Sequence, residues 1–301
     1  MKRRNYIVIA LMAMGAIATS CNEAEQIEQT VTVSINPEIP AESRTIGDGG
    51  NIDKVVCAVY YNGQELTHLR ETLPVTGGVV QGTYTPEVIK DRTYTFVFWA
   101  HTDGAYNVTT LENITRTAGY AGASCDAFTN KDTKYITSSV DLGITLSRPF
   151  AQLNIGVTEA DWNAVQGFNY TPDKVTIAVE SYAAYNAVAG TVAGSATEQS
   201  FTNSPLPTGT LTAVNGNSYN YMFADFILVG SDSQTTDIDC TIYDGAEAIR
   251  TLTMTAVPVK PNYKTNVVGT IMTGTVQYSI DFEDNFKFED EVDKDLDQTN
   301  P

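Results

Sequence analysis

The sequence predicts an all-β fold of antiparallel β-sandwiches, and three observations carry that prediction. Apolar and polar residues alternate with a period of two along most of the chain, turn residues punctuate the runs, and long patterns of helical period are absent. About ten strand candidates recur at short intervals with no helix between them, which favours antiparallel sandwiches over a parallel α/β sheet.

The chain opens on an export leader. Lys2, Arg3 and Arg4 precede an apolar run from Ile7 to Thr19 and then small residues and a cysteine. The run of about 13 residues is too short for a membrane span, which needs roughly 20. Ala18-Thr19-Ser20-Cys21 resembles a lipobox, although the usual leucine three residues before the cysteine is absent. The reading is a signal peptide over 1–20, lipidation at Cys21 and a linker over 21–29. Ordinary signal cleavage is the alternative, and both place the chain outside the cytoplasm.

The strands follow. Val31, Val33 and Ile35 alternate with Thr30, Thr32 and Ser34, and Thr93 to Trp99 repeats the pattern. Asn62-Gly63 after Val55 to Tyr61, and Asp244-Gly245 between Ile238 to Tyr243 and Ala248 to Met254, mark hairpins. From Thr158 to Pro172 the alternation stops, so the domain join is placed there: a first sandwich over 30–158 and a second over 159–288. Trp162 in this stretch reads as packing at the join rather than as a sugar platform. The last residues, 289–301, form an acidic tail expected to be disordered. Asp293, Asp295 and Asp297 imitate a calcium loop, but Gln298 stands where glycine is needed, so no metal site is expected.

Composition narrows the chemistry. The 36 acidic residues face 15 basic ones once the leader's three cations are set aside, a mature charge of −21, which disfavours nucleic acid as a partner. Cys57, Cys125 and Cys240 show no CxxC spacing; Cys57 and Cys240 read as small buried hydrophobes and Cys125 as a residue of a polar loop. His68 and His101 lack ligand spacing and read as surface or packing residues. No GxSxG elbow, P-loop or dinucleotide fingerprint occurs, and no carboxylate pair stands out for glycoside hydrolysis. No enzymatic activity and no cofactor are expected.

Two amphipathic segments read either as the first and last strands of stable sandwiches or as strands exchanged between chains. Thr30 to Ile35 lies just after the anchor and is followed by a loop with Pro37, Pro40 and Arg44, a natural protease target. Near the other end Val276, Tyr278, Ile280 and Phe282 share one face of a strand. Arg148, beside Pro149, reads as structural.

Several stretches resemble the fimbrillin-like lipoproteins of Bacteroidales, the type V pilin superfamily: Val55 to Tyr60, Phe96-Val97-Phe98-Trp99-Ala100, Cys125-Asp126-Ala127-Phe128, Leu146 to Asn154, and Val259 to Gly269. The resemblance covers most of the mature chain. It implies two tandem transthyretin-like sandwiches, an outer-membrane lipoprotein at the cell surface or in a fimbrium, and other fimbrial subunits as partners. In polymerising members it implies proteolytic loss of the first strand after an arginine, here Arg44, and donation of the 276–282 strand to another subunit. Host or bacterial surface molecules are the further partners expected of an adhesin. The competing reading is a surface glycan-binding outer-membrane lipoprotein using Trp162, Tyr182 or Tyr185; an extracellular hydrolase comes third.

Overall fold

A computed structural model describes residues 28–40, 49–213, 216–230 and 233–284. The all-β expectation holds: strands dominate, and the single α-helix among the described residues is Glu159–Gly167. Thr158 caps that helix, its side chain accepting the Asp161 amide at 3.1 Å. No helix among the described residues is long and apolar enough to cross a membrane.

The first sandwich packs a larger sheet over a three-stranded one. The larger sheet runs in the order Ala127–Ile136, Arg92–His101, Lys54–Tyr61, Glu71–Thr76, Val79–Val80. The smaller places the leading strand Thr30–Glu38 between Val140–Thr145 and Glu87–Ile89. Val33, Ile35, Val55, Val59, Phe96 and Phe98 fill the space between them. The Asn62-Gly63 turn has positive φ at both residues, +50° and +76°, the conformation a two-residue hairpin needs.

Lys54–Tyr61 is apolar on both faces, and the structure explains why. Val55, Cys57 and Val59 point into the first core, whereas Val56, Ala58 and Tyr60 point into a further cluster with Trp99, Phe150, Tyr185 and Phe226. That cluster joins the two halves of the chain.

The second sandwich sets a five-stranded sheet, Thr210–Thr212, Ser218–Leu228, Phe150–Val157, Tyr263–Thr270 and Gln277–Asp284, against a four-stranded one, Thr197–Asn203, Lys174–Ser181, Gln234–Asp244 and Glu247–Val259. One boundary therefore differs from the sequence expectation. Phe150–Val157, assigned to a first sandwich ending at 158, is the central strand of the second, pairing antiparallel with Ser218–Leu228 and parallel with Tyr263–Thr270. All eight of its residues are buried, so alternation carries no signal there. Its buried polar residues bond one another: Gln152 donates to Asn154 at 3.0 Å, and Asn154 to Asn266 at 2.8 Å.

A small mixed-origin sheet locks the halves together. Ile114–Arg116 of the first pairs with Ala184–Asn186 of the second, flanked by Tyr106–Asn107 and Thr191–Ala193. Arg148 adds a buried clamp, donating to both carboxylate oxygens of Asp126 at 2.6 and 2.7 Å with its guanidinium 4.3 Å from the Phe128 ring.

Candidate functional site

The leading strand is the most unusual element of the first sandwich. It pairs parallel with Val140–Thr145 through Val33 to Glu38 and antiparallel with Glu87–Ile89 through Thr30 to Thr32. Each of those neighbours finds its named strand partner only in the leading strand among the described residues. Val33 and Ile35 are fully buried, with Val31 half-buried on the same face. Further bonds run from the Val33 amide to Pro86 O at 3.0 Å and in both directions between Ile35 and Tyr84 at 2.8 and 2.9 Å. Glu28 pairs with Arg92 at the strand's start. Taking this strand away would leave a lengthwise apolar groove with two unpaired edges.

The described chain resumes at Gly49, which is fastened to the first sandwich. The Gly49 amide donates to Asp126 at 3.1 Å, so the chain downstream is tied to the same carboxylate that holds Arg148. Arg148 is fully buried, in keeping with its structural reading. Arg44 and Cys21 lie outside the described residues, as do the signal peptide, the Asp293 to Asp297 acids and the tail.

Among the described residues the closing strand Gln277–Asp284 is an edge strand, paired antiparallel with Tyr263–Thr270 alone. Ile280 is buried in the second core, Val276 and Tyr278 pack half-buried against it, and Phe282 stacks on Tyr263 with ring centroids 4.9 Å apart. The turn before it is gripped by Asp161, which accepts the amides of Ile271, Met272 and Thr273 at 2.8, 2.8 and 2.9 Å. The sequence marked the strand by its alternation; nothing in the sequence pointed to this clamp from a helix 110 residues away.

The remaining candidates separate by environment. Cys57, Cys125 and Cys240 are unpaired and buried. Burial pushes the Cys125 thiol up to about 11 and the Cys240 thiol to about 12, so neither is a thiolate nucleophile at neutral pH. Cys125 thus differs from the polar-loop expectation: it sits in a 3-10 turn, Gly122–Cys125, under Arg116, whose Nε lies 2.8 Å from its sulfur. His68 is exposed and His101 buried. Trp162 packs half-buried against the second core, whereas Tyr182 and Tyr185 line one cleft where the halves meet.

Comparison with known proteins adds the fold's company. The family of unknown function DUF6562 matches residues 21–299. No curated protein matches the sequence. Among solved structures, the tip fimbrial protein Mfa3 of Porphyromonas gingivalis, with C-terminal truncation, is similar at TM-score 0.50 and 9% identity over 85% of this chain and 100% of that one. A protein proposed to bind polysaccharides (DUF1812) from Bacteroides thetaiotaomicron also gives 0.50, at 12% identity over 83% and 95%. A candidate adhesin from the same species gives 0.50 at 8% identity over 86% and 99%. At these identities the likeness shows a shared fold.

Proposed function

The chain belongs to this family of unknown function, and from its fold we propose that it is a structural or adhesive subunit of a cell-surface fimbria, assembled by protease-triggered strand exchange. In this reading the protein is exported, lipidated at Cys21 and cut after Arg44. The leading strand then leaves, and the 276–282 strand of another copy fills its groove. The observation that carries the reading is a complementary pair among the described residues: a strand whose departure unpairs both its neighbours, and an edge strand held from one side only. Both present apolar residues at every second position, Val31, Val33 and Ile35 in the one and Val276, Tyr278, Ile280 and Phe282 in the other. Shared fold with a tip fimbrial protein and a candidate adhesin supports the setting. The partners are accordingly other fimbrial subunits, the membrane through the lipid, and surface molecules of host or bacterium.

Physical chemistry makes such a joint durable. Each ladder hydrogen bond contributes about 1 kcal/mol net, and each fully buried aliphatic side chain about 1.5–3 kcal/mol. An edge strand lacks one of its two ladders, so it is easier to redeploy than a central one. The test is limited trypsin treatment of the mature protein, followed by mass spectrometry and size exclusion. Cleavage after Arg44 with a ladder of oligomers, both absent in Arg44→Ala, supports the reading. Cleavage there with no assembly counts against strand exchange.

A further inference from the structure

A cleft of about 570 Å³ opens where the two sandwiches meet, apart from both exchanging strands. Small-molecule sites span roughly 300–1,000 Å³. Its walls come from both halves: Arg116 and Tyr120 from the first, Tyr182, Tyr185 and Phe201 from the second, with Asp225 beneath. Pairing of Ile114–Arg116 with Ala184–Asn186 holds the two walls at a fixed spacing.

Its charges cancel. Arg116 forms an ion pair with Asp225, their side chains 22% and 1% exposed, and the guanidinium lies 5.3 Å from the Phe201 ring. Burial raises the Asp225 carboxyl above its ordinary value, while Arg116 and the Phe226 and Gly122 amides oppose the rise. A charged ligand finds no free counter-charge here, and an anion also meets a chain of formal charge −18.

Two residues along the cleft carry buried polar atoms that lack full hydrogen bonds. Trp99 Nε1, a donor, has no hydrogen-bond partner among the described residues, and Asp225 Oδ2, an acceptor that the Gly122 amide only favours electrostatically, receives no hydrogen bond of ordinary geometry there. Both residues are at most 1% exposed. A hydroxyl group is able to accept from the one and donate to the other. Aromatic walls, cancelled charge and opposite unsatisfied polar atoms together describe a neutral ring that is apolar on its face and hydroxylated at its edge.

We propose that this cleft binds a neutral saccharide unit, its C–H face against Tyr182 and Phe201 and its hydroxyls toward Trp99 Nε1 and Asp225 Oδ2. Because both atoms are closed to solvent, side chains over them must part as the sugar enters, and Trp99 fluorescence reports that entry. The proposal does not depend on strand exchange, which concerns other strands.

The test is titration of the uncleaved mature protein with maltose, cellobiose, lactose and mannobiose to millimolar concentration, with galacturonic acid as the charged control, read by calorimetry and fluorescence. At least one neutral disaccharide is expected to bind, with a fluorescence change retained in Trp162→Phe. Tyr182→Ala and Asp225→Asn, checked for folding by thermal melting, are expected to weaken it about tenfold or more. If Asp225→Asn fails to fold, Tyr182→Ala, whose ring is half-exposed, decides alone. Absence of binding by all four disaccharides, binding of galacturonic acid alone, or wild-type affinity in the folded variants overturns the proposal.

Discussion

Ile35→Ala tests how the leading strand is held. Ile35 is fully buried midway along that strand, opposite Leu142 on one side and bridged to Tyr84 on the other. The change deletes three carbons, about 2 kcal/mol by transfer, and the cavity left behind raises the loss to about 2–5 kcal/mol. In the intact chain the loss appears as global destabilisation. Once the loop is cut the same loss falls on the grip of the freed strand, and at tenfold per 1.4 kcal/mol that is roughly 30- to 4,000-fold. The assay is trypsin cleavage followed by chromatography of the peptide ending at Arg44 over time. Ile35→Ala is expected to release it far faster than wild type. Asn36→Ala, which removes only an exposed bond from Thr83 at 2.7 Å, should change release less than about threefold. Equal release from wild type and Ile35→Ala would refute the idea that burial of this face holds the strand.

Further outcomes follow from the same geometry. In Gly269→Ala the new Cβ would lie 2.1 Å from Gln277 O and 2.7 Å from Tyr278 Cα, so the closing strand must part from its neighbour; hydrogen exchange of the 277–284 amides should accelerate while the first sandwich stays protected. Burial, aided by Lys54, lowers His101 to about 4. Its folded form therefore refuses a proton that the unfolded chain takes near 6.5, and about 3 kcal/mol of stability should be lost as pH falls from 6.5 to 4. Urea unfolding across that range should show a shallower loss in His101→Gln. Arg148→Leu leaves Asp126 buried without its two-pronged partner and should cost about 3–5 kcal/mol by denaturant titration, with much of it recovered in Arg148→Leu/Asp126→Leu.

What the sequence revealed depended on whether one face of an element met water. Val31, Val33 and Ile35 alternate with half-exposed neighbours, and the leading strand was legible; Val276 to Phe282 was legible for the same reason. Asn62-Gly63 marked its hairpin because positive φ at both positions restricts the residues allowed. Phe150–Val157 is buried on both faces, so its place in the second sandwich shows only in the folded chain. The junction sheet is built from strands of two or three residues, too short for any period to register. Arg116 with Asp225, and the Asp161 clamp, join residues more than 100 apart in the chain, and pairing at that range leaves no local trace. Tyr182 and Tyr185 were singled out as aromatics, but the cleft they share exists only once Trp99 and Tyr120 of the other half are in place.

The central claim is that cleavage opens a groove fitted to the closing strand. A synthetic peptide of residues 276–284 leaves the second sandwich intact and measures that fit alone. Titrated into protein cut after Arg44 and freed of its leading strand, it is expected to bind at one per chain and to suppress oligomers, while uncut protein ignores it. Failure to bind the cut protein, or equal binding to cut and uncut chains, would contradict strand exchange.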